Sequence, residues 1–335
     1  MIRLRVDESS RVGEARRLAA SMSRNLGLDE VHIEHVAIVV TELATNLVKH
    51  GGGGDLILRA LQIAETPGIE ALSLDKGPGI RNVGESLRNG YSTTGSPGKG
   101  LGAIQRLSSL FEIYSTPGRG TAVLSRIWRQ SPPASPRLRP LEMGVVCLPT
   151  VGEAACGDAW ALHQDPERVL IMLADGLGHG TSAAEASVAA VDVFESHPQD
   201  SPAEMIERIH AALRITRGAV VAVAELLWGR REVRYAGVGN ISGRIFSGNA
   251  FCGLVSHNGT AGINTPQIEE TTYPWPEDGL LVMHSDGLAT RWSLDDYLGL
   301  RGRDPALIAG VLFRDHNRER DDSTVAVIRE TRSSP

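Results

Sequence analysis

Four acidic positions, widely separated along the chain, share one local setting: each stands at the end of an apolar run of strand length. Asp158 comes just before residues 159–163, and Asp175 just after residues 169–174. Asp286 closes the run 280–285, and the pair Asp321/Asp322 precedes 324–328. Two of these acids lead straight into glycine, as Asp175-Gly176-Leu177-Gly178-His179-Gly180 and as Ser285-Asp286-Gly287. A solitary strand-end Asp is an ordinary turn or cap residue. Four at matched ends would repel one another, and a hard divalent cation is the natural compensation for clustered oxygen donors. His179 is open to two readings, contact with a substrate phosphate or a structural role.

A second group lies nearer the N-terminus. Glu42, Asn46 and His50 recur at i, i+4 and i+8. On a helix they form one polar row with a drift of about 40° per step. Beside it runs the apolar stripe Val36, Val40, Leu43 and Leu47, the spacing of a core-facing helix. Asp75-Lys76-Gly77-Pro78-Gly79 is an Asp-x-Gly-x-Gly turn, and Gly98-Lys99-Gly100-Leu101-Gly102 opens a helix running to about Leu110. Free amides in a glycine-rich loop at a helix start attract phosphate, and the helix dipole adds to that attraction. Each piece alone is commonplace. The order and spacing of all three are not.

The elements that must position these residues can be read around them. Residues 2–6 alternate as a short strand. Ser9 or Ser10 is expected to cap a helix to about Leu26, closed by Asn25 and Gly27, and Asp29 to cap the helix carrying Glu42. Gly51 to Gly54 ends that second helix. Strands follow at 71–74, 111–114 and 120–128. Residues 129–140 hold four prolines, a composition that rules out a helix or central strand and suits a semi-extended linker. Beyond it come strand-length runs at 144–148, 159–163, 169–174, 220–227, 232–237, 241–246, 280–285 and 324–328. Helices are expected near 181–196, 202–215 and 305–316. Hairpin-rich strands with grouped helices argue for α+β rather than alternating βαβ.

Bulk properties narrow the function. A chain of 335 residues, 41% hydrophobic, suggests two domains with proper cores. A net charge of −6 offers no field for nucleic acid, and 4% aromatic content leaves few platforms for bases. Cys147, Cys156 and Cys252 match no zinc spacing and read as free thiols of a reducing compartment. The first residues lack an apolar leader, and no run approaches the roughly 18 apolar residues of a membrane helix. The expectation is a cytoplasmic protein with no membrane insertion and no nucleic-acid partner.

The segment Glu42-Leu43-Ala44-Thr45-Asn46, the turn Asp75 to Gly79 and the loop Gly98 to Gly102 resemble the N, G1 and G2 boxes of the GHKL ATP-binding fold, across residues 1–128. Leu87-Arg88-Asn89-Gly90-Tyr91-Ser92-Thr93-Thr94, followed by the stretch from Gly100 to Leu107, resembles RsbT-type switch kinases more than RsbW-type anti-sigma factors. The resemblance implies Glu42 as the general base toward an acceptor hydroxyl and Asn46 as the holder of Mg²⁺ against ATP. It places Asp75 at the adenine amino group, with Gly77, Gly79 and Thr121 nearby. Lys49, Gly98, Lys99, Gly100, Leu101 and Gly102 complete the implied nucleotide set.

In the second half, Cys-Gly-Asp158, the Asp175 to Gly180 loop, Ser-Asp286-Gly287 and Arg320-Asp321-Asp322-Ser323-Thr324 resemble PPM-type phosphatases, and more narrowly the SpoIIE/RsbX branch. That implies two Mn²⁺ or Mg²⁺ ions, bridged by Asp175 and bound by the Gly176 carbonyl, Asp286 and Asp321. Asp158 orients water, catalytically and as part of the metal set. Asp322 could stand in for Asp321, though the family pattern favours the first acid.

The expected fold is therefore α+β in two domains. Residues 1–128 form a GHKL (Bergerat) α/β sandwich, 129–141 a linker, and 142–331 a PPM-type αββα sandwich. The expected function is a bifunctional partner-switching protein that phosphorylates and dephosphorylates Ser/Thr on STAS-domain antagonist or scaffold proteins. A downstream phosphatase or sigma-factor regulator is a further expected partner. In the alternative, the N-terminal domain binds ATP as a regulatory or anti-sigma module for the phosphatase.

Overall fold

The computed structural model describes residues 1–87, 100–133, 138–139, 141–265 and 267–331. The chain divides into two compact units, Met1–Ala134 with Gly302–Arg314, and Ser135–Arg301 with Asp315–Pro335. This differs from the boundaries drawn from sequence: Gly302–Arg314 lies within the second region but groups with the first unit.

The first unit comprises β1 (Ile2–Val6), α1 (Ser9–Asn25), α2 (Glu30–Asn46), β2 (Gly54–Ile63), β3 (Thr66–Asp75), α3 (Val83–Leu87), α4 (Gly100–Leu107), β4 (Leu110–Thr116) and β5 (Gly120–Trp128). Its antiparallel sheet has the order β1-β2-β3-β5-β4. Asp29 caps α2 as expected, its side chain accepting from the His32 amide. The buried face of α2, including Val36, Val40 and Leu43, joins one core with Leu56, Leu58 and Ile69 of the sheet. Each such fully buried side chain contributes about 1.5–3 kcal/mol.

The segment Glu30–Gly51 is long and apolar enough by composition to cross a membrane, but 44% of its most apolar window is buried inside this unit. Burial against the sheet explains its apolarity. One expectation fails locally. The N-cap of α1 is Glu8, with no side-chain capping bond, and the Ser10 hydroxyl turns to the Glu8 carboxylate instead. β2 was not anticipated: its first five residues are all buried, so the polar alternation of a half-exposed strand is missing.

The second unit contains β6 (Leu141–Leu148), β7 (Asp158–Gln164), β8 (Arg168–Gly176), α5 (Thr181–Ser196), α6 (Pro202–Ala212), β9 (Ala219–Leu227), β10 (Glu232–Val238), β11 (Ser242–Ser247), β12 (Ala250–Leu254), β13 (Thr271–Pro274), β14 (Leu280–His284) and β15 (Ser323–Glu330). The remaining helix, α7 (Pro305–His316), falls mostly within Gly302–Arg314. Two five-stranded sheets form, β13-β10-β9-β8-β7 and β12-β11-β14-β15-β6. One core lies between them, with Ile171, Leu173 and Ala222 from one sheet and Leu281, Met283 and Ile328 from the other. A second core seats Ala186, Phe194 and Ile206 of α5 and α6 on the outer face of the first sheet. No disulfide joins the three cysteines, although the Cys147 and Cys156 Sγ atoms lie 3.8 Å apart.

Candidate functional site

Each unit builds one site. In the first, α2 carries Glu42 and Asn46 to the start of α4. A Cβ at Gly100 would lie 2.8 Å from Glu42 Oε2 and 3.7 Å from Asn46 Oδ1, so the general-base candidate, the Mg²⁺-holding candidate and a phosphate-loop glycine converge. Asp75 ends β3, and its Oδ1 accepts from the amides of Gly77 (2.9 Å) and Thr121 (3.1 Å). The Thr121 hydroxyl shares a 2.9 Å hydrogen bond with Ser115. Burial pushes the Asp75 carboxyl above its ordinary range, while the two amides and the charge of Arg314 oppose that shift.

Gly79 adopts φ +69° and approaches the Thr116 carbonyl too closely for any side chain. Leu101 packs against the core, Gly102 lies within the first turn of α4, and Lys49 is exposed after the end of α2. Gly98 and Lys99 lie outside the described residues.

In the second unit the acids meet through strand register. Asp158 and Asp175 are directly paired across β7 and β8. Asp286 follows β14, and Asp321/Asp322 precede its neighbour β15. The Ser285 hydroxyl donates to Asp158 Oδ2 (2.7 Å) and accepts from the Thr324 amide (2.9 Å), so one residue ties three of these strand ends together. Asp158 Oδ1 is buried and has no hydrogen-bond partner. Asn240 donates to Asp286 Oδ2 at 2.7 Å.

The glycines after the acids answer a packing demand. A Cβ at Gly176 would fall 2.1 Å from the Ala183 carbonyl, and one at Gly287 would fall 2.0 Å from the Asp322 carbonyl.

Electrostatics set this cluster apart. Burial, reinforced by Asp158, Asp286, Asp321 and Asp322, pushes the Asp175 carboxyl up to about 9. Burial raises Asp158 to about 7, with the Ser285 bond and the nearby Thr324 hydroxyl opposing and the charges of Asp322 and Asp321 adding to the rise. Asp286 is raised as well, by burial and then by Asp321, against the pull of Arg318 and Asn240.

The paired acids Asp321 and Asp322 separate in role. Asp322 is buried and accepts from the amides of Thr150 and Gly157, each at 2.7 Å, so it staples the loop leading into β7. Asp321 is half-buried and accepts from the Asp322 amide (2.9 Å). His179 points to Glu153 (2.7 Å) and is exposed. Arg217, absent from the sequence reading, sets its guanidinium against Gly178 of the acid-bearing loop.

Among the described residues, no three His, Cys, Asp or Glu side chains stand close enough to enclose an ion as they are. The donor set nevertheless fits a hard divalent cation. It is all oxygen, its charges add to the rise of Asp158, Asp175 and Asp286, and it leaves a buried carboxylate oxygen without a hydrogen bond. Asn240 and Ser285 were missed from sequence. Ser285 had a signal, its place directly before Asp286, whereas Asn240 had none beyond a Gly-Asn turn.

Both halves of the chain are similar to known proteins. The family described as "Stage II sporulation protein E (SpoIIE)" matches residues 165–330, and "Histidine kinase-like ATPase domain" matches residues 6–127. Phosphoserine phosphatase RsbX of Bacillus subtilis (strain 168) is 30% identical over 140 residues, covering 41% of this chain and 69% of RsbX. Serine/threonine-protein kinase RsbT of the same organism is 29% identical over 114 residues, covering 34% of this chain and 86% of RsbT. A solved structure described as "The bacterial stressosome: a modular system that has been adapted to control secondary messenger signaling" is 29% identical, with a TM-score of 0.54 over 56% of this chain and 99% of its own. The chain thus belongs, through its second half, to the SpoIIE/RsbX family of PPM-type phosphatases, and it joins to that half a histidine-kinase-like ATPase domain homologous to RsbT.

Proposed function

We propose that this chain sets the phosphorylation state of one class of partner from both directions. The first unit transfers phosphate from ATP to Ser/Thr of a STAS-domain protein, and the second removes it, in a cytoplasmic partner-switching module. The observation that carries the reading is the presence in one polypeptide of two built sites. Each lies in a half homologous to one of two enzymes, a Ser/Thr kinase and a phosphoserine phosphatase.

In the first unit Glu42, beside Gly100, takes the proton of the acceptor hydroxyl. Asp75 accepts from the adenine amino group, and Asn46 holds the Mg²⁺ that accompanies ATP. Lys49, Gly98, Lys99, Leu101 and Gly102 belong to the same nucleotide set, with Thr121 at the adenine edge. In the second unit Asp175, the Gly176 carbonyl, Asp286 and Asp321 would hold two Mn²⁺ or Mg²⁺ ions. Those ions, when bound, supply positive charge and an acidified water for attack on phosphorus. Asp158, held at Oδ2 by Ser285, presents Oδ1 to orient that water.

The test mixes full-length Asp175→Asn with ATP, Mg²⁺ and the STAS-domain protein encoded nearest to it. Intact mass should show the gain of one phosphoryl group, lost again when wild-type protein and Mn²⁺ are added. No gain despite ATP binding, with a second STAS-domain partner also inert, would overturn the kinase half.

One contact favours a second reading, in which nucleotide binding regulates the phosphatase without transfer. Arg314 donates to the Asp75 carbonyl at 3.2 Å. Glu42→Ala separates the two, because it should abolish transfer and leave any nucleotide-dependent regulation intact.

A further inference from the structure

Gly302–Arg314 is flanked in sequence by the acids of the phosphatase, Asp286 before it and Asp321 after it, yet it is part of the ATPase unit. Its attachment there is specific at both ends. At the start, Arg126 of β5 forms a two-bond fork with Asp304 (2.7 and 2.8 Å) and also bonds Glu70 of β3 (2.7 Å). The Asp304 amide donates to Glu112 of β4 (2.9 Å), and Asp304 Oδ1 accepts from the Ala306 amide (2.8 Å), starting α7.

Along the helix every residue from Pro305 to Arg314 is buried. A Cβ at Gly310 would meet a Leu72 methyl at 2.5 Å, and the Arg3 guanidinium sits 5.4 Å from the Phe313 ring centre. At the far end Arg314 donates to the backbone carbonyl of Asp75, the residue whose side chain holds the Gly77 and Thr121 amides.

The chain beyond Arg314 belongs to the second unit, and there it is bonded to the turn that carries Asp286. The Ala289 amide donates to the His316 carbonyl (2.9 Å) and the Arg318 amide to the Gly287 carbonyl (2.9 Å). Leu288 and Asn317 form a bridge, and Asn317 Oδ1 accepts from Ser323, just past the Asp321/Asp322 pair. A buried helix, fixed at one end to the Asp75 backbone, is thus continuous at that end with the peptide that holds the Asp286 turn. Such contiguous hydrogen-bonded and helical elements transmit coupling when they have two arrangements that both sites bias.

We propose that the adenine-nucleotide site has a second output: occupancy beside Asp75 shifts the 302–314 segment and thereby changes how tightly the Asp286 and Asp321 carboxylates hold divalent cations. The Gly77 and Thr121 amides share Oδ1, so a base donating to Asp75 would settle at the other carboxylate oxygen, and any adjustment of that residue moves the carbonyl that Arg314 grips. The ligand class is an adenine nucleotide. By linkage, cations bound at the acids must alter nucleotide affinity by the same factor. The inference rests on the phosphatase reading for its consequence and for the hydrolysis arm of its test, whereas the exchange arm is independent of that reading.

The test uses the full chain at fixed free Mg²⁺, with and without a saturating non-hydrolysable ATP analogue. Hydrogen exchange at the amides of residues 287–289 and 316–318 should change by about fivefold or more, the low end of allosteric coupling. With free Mn²⁺ buffered, the concentration giving half-maximal hydrolysis of p-nitrophenyl phosphate should move by a similar factor. Arg314→Met and Asp304→Asn should still bind the analogue while reducing both changes to less than about twofold. If Arg314→Met fails to fold, Asp304→Asn alone decides. Analogue bound with exchange unchanged, or both variants responding like wild type, would overturn the coupling. A full exchange response in a protein that hydrolyses no phosphoester would sink the phosphatase reading and leave the coupling standing.

Discussion

The two sites in this chain solve the burial of acidic side chains in opposite ways. Asp75 is accommodated by its own neighbourhood, with two backbone amides on one oxygen, one of them from the turn that it opens. The acids of the second unit have far less local support. Asp175 is pushed up to about 9 by burial and by its neighbours, and Asp158 keeps a buried oxygen with no donor. Asp322 is the exception that clarifies the rule: two amides quench it, and it serves as a structural staple. The lesson is that backbone donors mark a carboxylate committed to architecture or to a neutral ligand, whereas mutual repulsion marks carboxylates that await a cation.

The comparison can be broken most severely at Asp175. Asp175→Asn should abolish phosphoester hydrolysis while phosphotransfer persists and nucleotide still binds, its affinity moving by no more than the linkage factor, as read by phosphate release and by fluorescent-nucleotide titration. Equal loss in both assays would show that the sites are not independently built. Glu42→Ala is the mirror experiment. Phosphotransfer should fall by about 10²–10⁴-fold, the usual worth of a general base, with ATP affinity and Mn²⁺-dependent hydrolysis retained.

A finer probe is Ser285→Ala, which frees Asp158 Oδ2 and the Thr324 amide. Mn²⁺ affinity measured by calorimetry should weaken by about 10–100-fold, as when outer-shell partners of ligands are removed. An unchanged affinity would mean that Ser285 serves packing alone.

A further probe of the same contrast is pH. In the metal-free folded chain Asp175 keeps its proton up to about 9, whereas unfolded it would lose it near the ordinary 3.8. The folded state therefore binds more protons across that window, so metal-free stability must fall as pH rises through it. Denaturant melts between pH 5 and 8 should show the fall, and Mn²⁺ should stabilise more strongly at the upper end. Stability rising with pH would contradict the picture of repelling acids.

Much of both sites was legible because it is local. The Asp29 cap, the Asp75 turn, the Glu42–Asn46 row and the Asp-Gly pairs each depend on residues a few positions apart, where backbone geometry follows from residue type. The expected Ser9/Ser10 cap failed at the same range, because the Ser10 hydroxyl had a competing partner in Glu8. β2 escaped notice because burial of consecutive residues erases the alternation that betrays a strand.

By itself the sequence determined that this chain holds two α+β regions, a glycine-punctuated nucleotide-type site and a set of strand-end acids. Short-range periodicity and turn chemistry carry that information. Only the tertiary structure decided that Asp158 faces Asp175, that Asp322 rather than Asp321 is spent on the loop leading into β7, and that Ser285 and Asn240 brace the acids. It also decided that residues 302–314 group with the ATPase unit. These outcomes depend on strand register and on a buried fork between Arg126 and Asp304, residues far apart in the chain. Local propensity cannot encode such pairings, because a partner distant in sequence is chosen by the packing of the whole fold.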